Sequence, residues 1–417
     1  MNLQRRQIRV LYSFPHKLGA GRICTTAWEQ VNGLAGAGAR VHVLTGTMAK
    51  GLGPGISVQT TLAWGKFRVP YRIVGDMRAC AIHDYFVARR LSKLAGQIDL
   101  VHAWPLGALR TLATASGLRI PTVLERPNAH TRFAYEVVQA ECERIGVSLP
   151  RSHEHAFNAN VLRVEEEEYR RAYRLLCPSE FTAATFVDRG FARERLARHY
   201  YGVDQTFYHP GGRHQRGGKP FTALFVGVCA VRKGLHYALD AWLRSPASRD
   251  GVFLIAGEFL PAYAEKLSPM LSHPSVRVLG HRNDIPELMR KSEILLLPSI
   301  EEGFGLVCTE AMASGCVPLI SDACTDLCKH MVNALVHRVG DVDGLTEHIT
   351  MLYKRPEVLA HLRDSGIDAG PHVTWAKAGE KLLEVYRQVI DEYNHEQGQY
   401  DCRAEAKDKS GIRGVAE

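Results

Sequence analysis

Short apolar runs alternate with amphipathic segments along nearly the whole chain, and this alternation limits the fold more than any other feature. Ile8–Tyr12, Arg40–Leu44, Asp99–Ala103, Pro121–Leu124 and Tyr173–Cys177 read as strands, with helical patterns over Arg22–Ala35 and Met77–Leu94. Strand, helix, strand in that order requires a parallel sheet with helices on both faces. The pattern breaks once, at residues 205–220, where two Gly-Gly pairs and two prolines form a linker-like stretch. It then restarts with strands Phe221–Gly227, Val252–Ala256, Val276–Leu279, Glu293–Leu297 and Val317–Ile320. Helical segments Gly234–Trp242 and Gly305–Ala313 lie among them.

The expected fold class is therefore α/β, with two Rossmann-like, doubly wound parallel-sheet domains facing a cleft. A chain of 417 residues has room for two such domains. The division expected is an N-terminal acceptor-side domain at 1–205, a linker at 206–220 and a C-terminal donor-binding domain at 221–374. A terminal helix at 375–396 is expected to pack back on the first domain. Residues 397–417 are polar and aperiodic and read as a disordered tail.

No run of about 18 apolar residues is present, so no membrane-spanning helix is expected. Arg5, Arg6 and Arg9 precede only a brief apolar run, too short for a signal peptide. Ten scattered cysteines fit reduced thiols in a cytoplasmic protein. The densest group, Cys308, Cys316, Cys324 and Cys328, lacks the close pairs of a structural zinc site. His153-Glu154-His155 reads as surface or helix-start chemistry rather than a metal site. No metal ligand set and no cofactor is expected.

Charge is uneven. Residues 1–215 carry 29 Lys and Arg against 17 Asp and Glu, and the remainder 23 against 27. A basic first half faces either solvent or something anionic: a lipid surface, a phosphorylated acceptor or nucleic acid. No zinc finger, aromatic strand signature or basic heptad helix favours nucleic acid. Arg68, Arg72, Arg78, Arg89, Arg90 and Lys93 mark the region for docking on an anionic membrane. A helix packed on the sheet accounts for its apolar residues equally well.

The chemistry concentrates in Pro298-Ser299-Ile300-Glu301-Glu302-Gly303-Phe304-Gly305-Leu306-Val307-Cys308-Thr309-Glu310-Ala311-Met312-Ala313-Ser314-Gly315. It follows an apolar strand and opens a helix. Gly303 and Gly305 permit close backbone approach, and the first helical amides can hold an anion. Glu302 before the helix and Glu310 within it are carboxylates suited to vicinal hydroxyls. Phosphate donors beside hydroxyl acceptors suit a nucleotide sugar.

This string resembles the Glu-x7-Glu motif of retaining glycosyltransferases with the GT-B fold, in particular family 4 (group 1 glycosyl transferases). The resemblance implies that Glu310 binds ribose, and that Glu302, Gly303, Phe304, Gly305 and Leu306 contact sugar and diphosphate. Phe225-Val226-Gly227 followed by Arg232-Lys233-Gly234 resembles the family's diphosphate loop, with Lys233 as its lysine. The family's arginine is replaced by Val228, and Arg232 is the candidate to supply that charge. Val276–His281 resembles the strand and loop beside the nucleobase. Cys177–Glu180 and Tyr201-Gly202-Val203-Asp204 resemble landmarks that end the first domain. Ser321–Asp326 replaces the family's Gly-Gly-x-x-Glu.

In the first domain, Lys17-Leu18-Gly19-Ala20-Gly21-Arg22 forms a looser glycine loop, with Gly21 the candidate for donor contact. It has no Walker lysine pattern. His130 lies three residues past the position where family members place a histidine near the reacting sugar. Hydrogen bonding to that sugar, orienting the acceptor, and capping or packing a helix are its alternatives; Glu125 and Asn128 are comparable candidates. The expected catalytic set is thus Glu302, Lys233, Arg232 and His130. The expected activity is retaining, metal-independent transfer of a sugar from a nucleoside diphosphate sugar to an acceptor hydroxyl. Such a reaction belongs to polysaccharide, glycolipid or glycoconjugate synthesis. The expected partners are the donor, a glycan or lipid-linked acceptor, and an anionic membrane surface on its cytoplasmic side. A non-catalytic nucleotide-sugar-binding protein, or a GT-B epimerase or phosphorylase, is the alternative.

Overall fold

The computed structural model describes residues 7–65, 67–69, 71–211 and 220–411. Most of the linker-like stretch, residues 212–219, lies outside the described residues, as do residues 412–417 of the tail. The chain forms two compact units. One is drawn from Met1–Glu125, Glu167–Leu176 and Gly379–Glu417, the other from Arg126–Glu166 and Cys177–Ala378.

In chain order the first elements are β1 (Arg9–Leu18), α1 (Ile23–Gly36), β2 (Arg40–Met48) and β3 (Ser57–Thr60). A small antiparallel pair, β4 (Ala63–Trp64) and β5 (Phe67–Arg68), precedes α2 (Tyr71–Val74) and α3 (Asp76–Lys93). Then come β6 (Leu100–Ala103), α4 (Leu109–Gly117), β7 (Thr122–Glu125), α5 (Thr131–Ile145) and α6 (Ala159–Arg171). β8 (Arg174–Cys177), α7 (Glu180–Val187) and β9 (Leu196–Arg198) follow.

In the first unit these strands form a parallel sheet in the order β3-β2-β1-β6-β7-β8. β1 is central, yet it continues through Pro15, six residues beyond the run that apolarity marks. Pairing with β6 ends at Ser13, so the missing proline N–H falls beyond that partner. On the other side the register with β2 shifts between Phe14 and Lys17, a bulge that admits the ring. Buried Leu11, Leu44, Val87, Leu91 and Val101 knit α3 to the sheet.

The second unit repeats the alternation: β10 (Thr222–Val226), α8 (Leu235–Arg244), β11 (Val252–Ala256), α9 (Pro261–Leu271), β12 (Val276–Gly280) and α10 (Ile285–Lys291). β13 (Ile294–Leu297), α11 (Leu306–Ala313), β14 (Val317–Ser321), β15 (Leu335–His337), α12 (Val342–Lys354) and α13 (Pro356–Ala369) complete it. The sheet order is β12-β11-β10-β13-β14-β15, again parallel throughout. β13 reads Ile-Leu-Leu-Leu and is buried at every residue, the composition expected of a strand covered on both faces. Both sheets are thus Rossmann-like and helix-flanked.

The last helix, α14 (Trp375–Gly411), runs on into the segment that composition reads as a tail. Leu382, Leu383, Tyr386 and Val389 are buried. The Tyr386 hydroxyl meets His102 Nδ1 on β6 at 2.5 Å.

Nine cysteines are free thiols among the described residues, and no group there could hold a metal ion. Cys308, Cys324 and Cys328 do come together, hydrogen-bonding through Cys308. Hydrogen bonding among these thiols is the largest influence on Cys308, where Cys324 lowers and Cys328 raises, and on Cys324, which Cys308 raises; with burial added, both are held well above the usual thiol range. Among the described residues, no helix is long and apolar enough to cross a membrane.

Candidate active site

In the second sheet β10 lies between β11 and β13. The chain leaves β10 toward one edge and later returns to build toward the other, so the loops after β10 and β13 diverge. A crevice at the carboxyl ends of such strands is where open α/β sheets take ligands. Those two loops are residues 227–234 and 298–305, the segments the sequence singled out.

Backbone contacts lock the two loops together. Ile300 N–H donates to the Arg232 carbonyl at 2.8 Å. A Cβ on Gly234 would lie 1.9 Å from the Pro298 carbonyl oxygen, so only glycine lets the turn at Val231–Lys233 sit this close. Gly303 is tighter still. Its added Cβ would lie 1.5 Å from the Pro127 oxygen, which brings residues 126–130 onto the glycine loop. The Gly303 carbonyl accepts from Ser179 Oγ at 2.5 Å and Thr182 Oγ1 at 3.0 Å. Gly303 is therefore a packing glycine. Gly305 has the left-handed conformation (φ 74°) that caps α11.

Four charges meet where these loops join. Lys233 Nζ pairs with Glu302 Oε2. Arg232 Nη1 donates to the Glu301 carbonyl at 2.9 Å and lies 3.5 Å from both Glu301 Oε2 and Glu302 Oε1. Burial pushes the Glu302 carboxyl up, but Lys233 and then Arg232 outweigh it, and its pKa ends below the ordinary value. For Arg232, burial works against the charge, and Glu302 and Glu301 overcome it, so its pKa rises. Formal charge across the quartet is zero, with both cations partly open to solvent.

Glu310 lies in the second turn of α11, partly buried, hydrogen-bonded with Tyr208. Burial pushes its carboxyl up to about 7, and the Tyr208 hydroxyl only partly offsets this. Phe304 is 2% exposed with its ring against Tyr201 at 5.3 Å, so only its backbone can face a ligand. The amides of the first turn of α11, beginning at Leu306, have no acceptor within the helix.

His130 caps α5: its Nδ1 accepts from the Arg132 amide at 3.2 Å, and its ring packs on Phe186 at 5.0 Å. Burial, with Arg126, Arg189 and Arg132 nearby, lowers its pKa to about 3. It is a neutral, capping and packing imidazole in this geometry. Asn128 belongs to the segment lying on Gly303.

In the first unit the loop after β1 holds Gly19 and Gly21, with φ of 80° and 95°. It stands at that sheet's own strand-order reversal, between β1 and β6. Gly21 N–H donates to Thr25 Oγ1 at 3.1 Å, and a Cβ there would meet nothing within 4 Å. Glu125 is fully buried, accepting from Gln30 Nε2 at 2.9 Å and lying 3.4 Å from His102 Nε2. It is occupied by the interior of the sheet.

Two residues at the second-unit site had no sequence signal. Glu301 is fully buried. Its Oε1 accepts from the Ala129 amide at 3.1 Å, and its Oε2 lies 3.4 Å from His155 Nε2. Burial pushes its carboxyl up, but His155, Arg232 and the Ala129 amide hold it down at about 2. His155 is 7% exposed, so the sequence reading of His153-Glu154-His155 as surface or helix-start chemistry fails for this residue. The reason is a tertiary contact: the carboxylate that buries it is far away in the chain. Segment 321–326 is structural, with Ser321 Oγ donating to the Ser299 carbonyl and Asp326 Oδ1 accepting from the Glu180 amide at 2.9 Å.

Residues 220–355 match the family described as "Glycosyl transferases group 1", and residues 24–207 match "Glycosyltransferase Family 4". An uncharacterized glycosyltransferase of Methanocaldococcus jannaschii is 26% identical over 226 residues, 52% of this chain and 60% of that protein. D-inositol 3-phosphate glycosyltransferase 1 of Catenulispora acidiphila is 27% identical over 48% of this chain and 54% of its own length. D-inositol 3-phosphate glycosyltransferase of Mycobacterium bovis is 25% identical over 87% of this chain and 78% of its own. Among solved structures, HepE of Anabaena in complex with UDP superposes with a TM-score of 0.63 at 19% identity, covering 92% of this chain and 100% of that one. The same protein has been crystallised with UDP-glucose.

Proposed function

Since the chain belongs to the family 4, group 1 glycosyltransferases, with the α/β architecture of the GT-B fold, we propose that it is a retaining enzyme. It moves a sugar from a nucleoside diphosphate sugar to an acceptor hydroxyl. The observation that carries this reading is the meeting of Lys233, Arg232 and Glu302 at the strand-order reversal, on the loops that lead into α8 and α11. Departure of the sugar leaves charge on the diphosphate, which Lys233, Arg232 and the amides near Gly305 and Leu306 stabilise. With these two cations and amides to meet the leaving charge, the reaction as proposed calls for no metal ion. Glu302 turns from Lys233 to the sugar hydroxyls as the diphosphate takes the lysine. Glu310 grips the ribose. Gly21 is the donor-contact candidate of the loop after β1. His130, held neutral, fixes the start of α5 and exchanges no proton.

Relatives named for D-inositol 3-phosphate and a structural neighbour crystallised with UDP and UDP-glucose make UDP-sugars and phosphorylated cyclitols the first donors and acceptors to test. Nucleoside diphosphate release across that panel, for wild type and Glu310→Ala, is the experiment. Unchanged turnover in the variant sinks the ribose role. Saturable donor binding with no transfer favours the non-catalytic alternative, and epimerised donor or sugar phosphate favours an epimerase or phosphorylase.

We also propose that the first unit docks on an anionic membrane. Arg78, Arg89, Arg90 and Lys93 lie exposed on α3 beside Tyr85 and Phe86, which are 39% and 37% exposed. Ile73, just before α3, is 82% exposed. Cations interleaved with exposed aromatic rings suit a lipid headgroup layer. Flotation with anionic but not neutral vesicles at low salt is expected, and its absence defeats docking.

A further inference from the structure

We infer that Glu301 and His155 are positioning residues that set Arg232 as the second cation facing the diphosphate. The inference rests on the transferase reading above. The loop after β10 offers two cations, Arg232 and Lys233, and Val228 stands where the resembling family has an arginine. One cation is a weak match for a leaving diphosphate with at least two negative charges, so the placement of Arg232 decides whether a second is present.

Arg232 is held at both ends. Its backbone carbonyl accepts from Ile300, and its Nη1 donates to the Glu301 carbonyl. Its side chain hydrogen-bonds that carbonyl through Nη1, the nitrogen that also lies 3.5 Å from Glu301 Oε2 and Glu302 Oε1, with the Glu154 charge nearby. Among the described residues none accepts from Nε or Nη2. The side chain is 14% exposed. A guanidinium fastened through one nitrogen keeps its other edge for a second ligand, and the fork geometry suits phosphate oxygens.

Glu301 itself cannot touch a donor, because it is completely buried. Its two oxygens are committed inward: Oε1 to the Ala129 amide, Oε2 toward His155 and Arg232. An ionised carboxylate this deep persists only with such compensation. His155, brought in by the segment between α5 and α6, closes the far side of the carboxylate. Glu301 therefore acts through Arg232, and His155 acts through Glu301.

The test is a double-mutant cycle on the full chain. Donor KM, kcat from nucleoside diphosphate release, the Kd of UDP by calorimetry and the melting temperature are measured for Glu301→Gln, Arg232→Ala and the pair. Glu301→Gln is expected to lower kcat about 10- to 100-fold and to weaken UDP binding, which carries the departed charge, by a similar factor, while donor KM and melting temperature change little. On the Arg232→Ala background the same change is expected to lower kcat by less than about 2-fold. A purely structural role would lower the melting temperature and raise KM along with these losses. Equal losses of kcat on both backgrounds, or full activity in Glu301→Gln, overturn the inference. If Glu301→Gln does not fold, His155→Gln carries the cycle with the same expectations. A wild type that releases no nucleoside diphosphate from any donor defeats the transferase reading and this inference with it. An active wild type with independent losses defeats this inference alone.

Discussion

Gly303→Ala isolates the packing of segment 126–130 on the glycine loop. The new Cβ would lie 1.5 Å from the Pro127 oxygen, 2.4 Å from its carbon and 2.9 Å from the Asn128 Cα. All three are backbone atoms, so no rotamer change relieves the overlap, and the segment must retreat by roughly 2 Å to reach ordinary contact. That displacement strains the Ala129 amide bond to Glu301 and the two hydroxyl bonds to the Gly303 carbonyl. Overpacking costs about 1–3 kcal/mol. A lost hydrogen bond to a charged group costs about 1.5–3 kcal/mol more. The two terms share one movement, so a destabilisation of about 3–5 kcal/mol is expected. For a unit of this size that lowers the melting temperature by about 10 °C. Calorimetry on wild type, Gly303→Ala and the control Gly21→Ala, whose Cβ meets nothing, reads it directly. The control carries only the strain of a left-handed φ, about 1–2 kcal/mol. Gly303→Ala melting within 2 °C of wild type would refute the close approach, and with it the route by which residues 126–130 hold Glu301.

Four further outcomes are expected. Lys233→Ala lowers transfer by about 10²-fold or more, measured as nucleoside diphosphate release, because Lys233 meets the charge that develops on departure. Glu310, raised to about 7, favours folding below the unfolded carboxyl pKa near 4.5 and loses that contribution as pH rises through 7. The melting temperature of wild type relative to Glu310→Gln should therefore fall between pH 4.5 and 8, by at most about 3 kcal/mol equivalent; a flat difference refutes the raised pKa. Nucleotide affinity should rise over the same range in wild type but less in Glu310→Gln, since ribose hydroxyls donate to the ionised form; titration calorimetry across pH decides. Tyr386→Phe removes the hydroxyl that meets His102 Nδ1 in the first unit and should cost about 1–3 kcal/mol in denaturant unfolding.

Apolar periodicity marked the inner strands of both sheets and the helices α1, α3, α8 and α11, because each burial pattern is written within a few consecutive residues; the short edge strands β3 and β15 carried too little of it to be read. Twice the strand order reverses beside a glycine-bearing loop, and the motif-bearing segments 227–234 and 298–305 flank one reversal. The glycine loop and its spacing singled out Glu302 and Glu310 before any coordinates, and the resemblance to the family's diphosphate loop added Lys233. Local pattern carried no trace of what fills the spaces between elements. Ala129 and Glu301 are 172 positions apart. Their bond turns a residue with no motif of its own into the anchor of Arg232, draws His155 into the interior and explains why Gly303 has no side chain. Tertiary structure likewise made His130 a helix cap and gave Glu125 to a buried network. Periodicity records which face of an element is covered; only the folded chain determines which distant atom covers it, and the charge of that atom decides what the buried group can do.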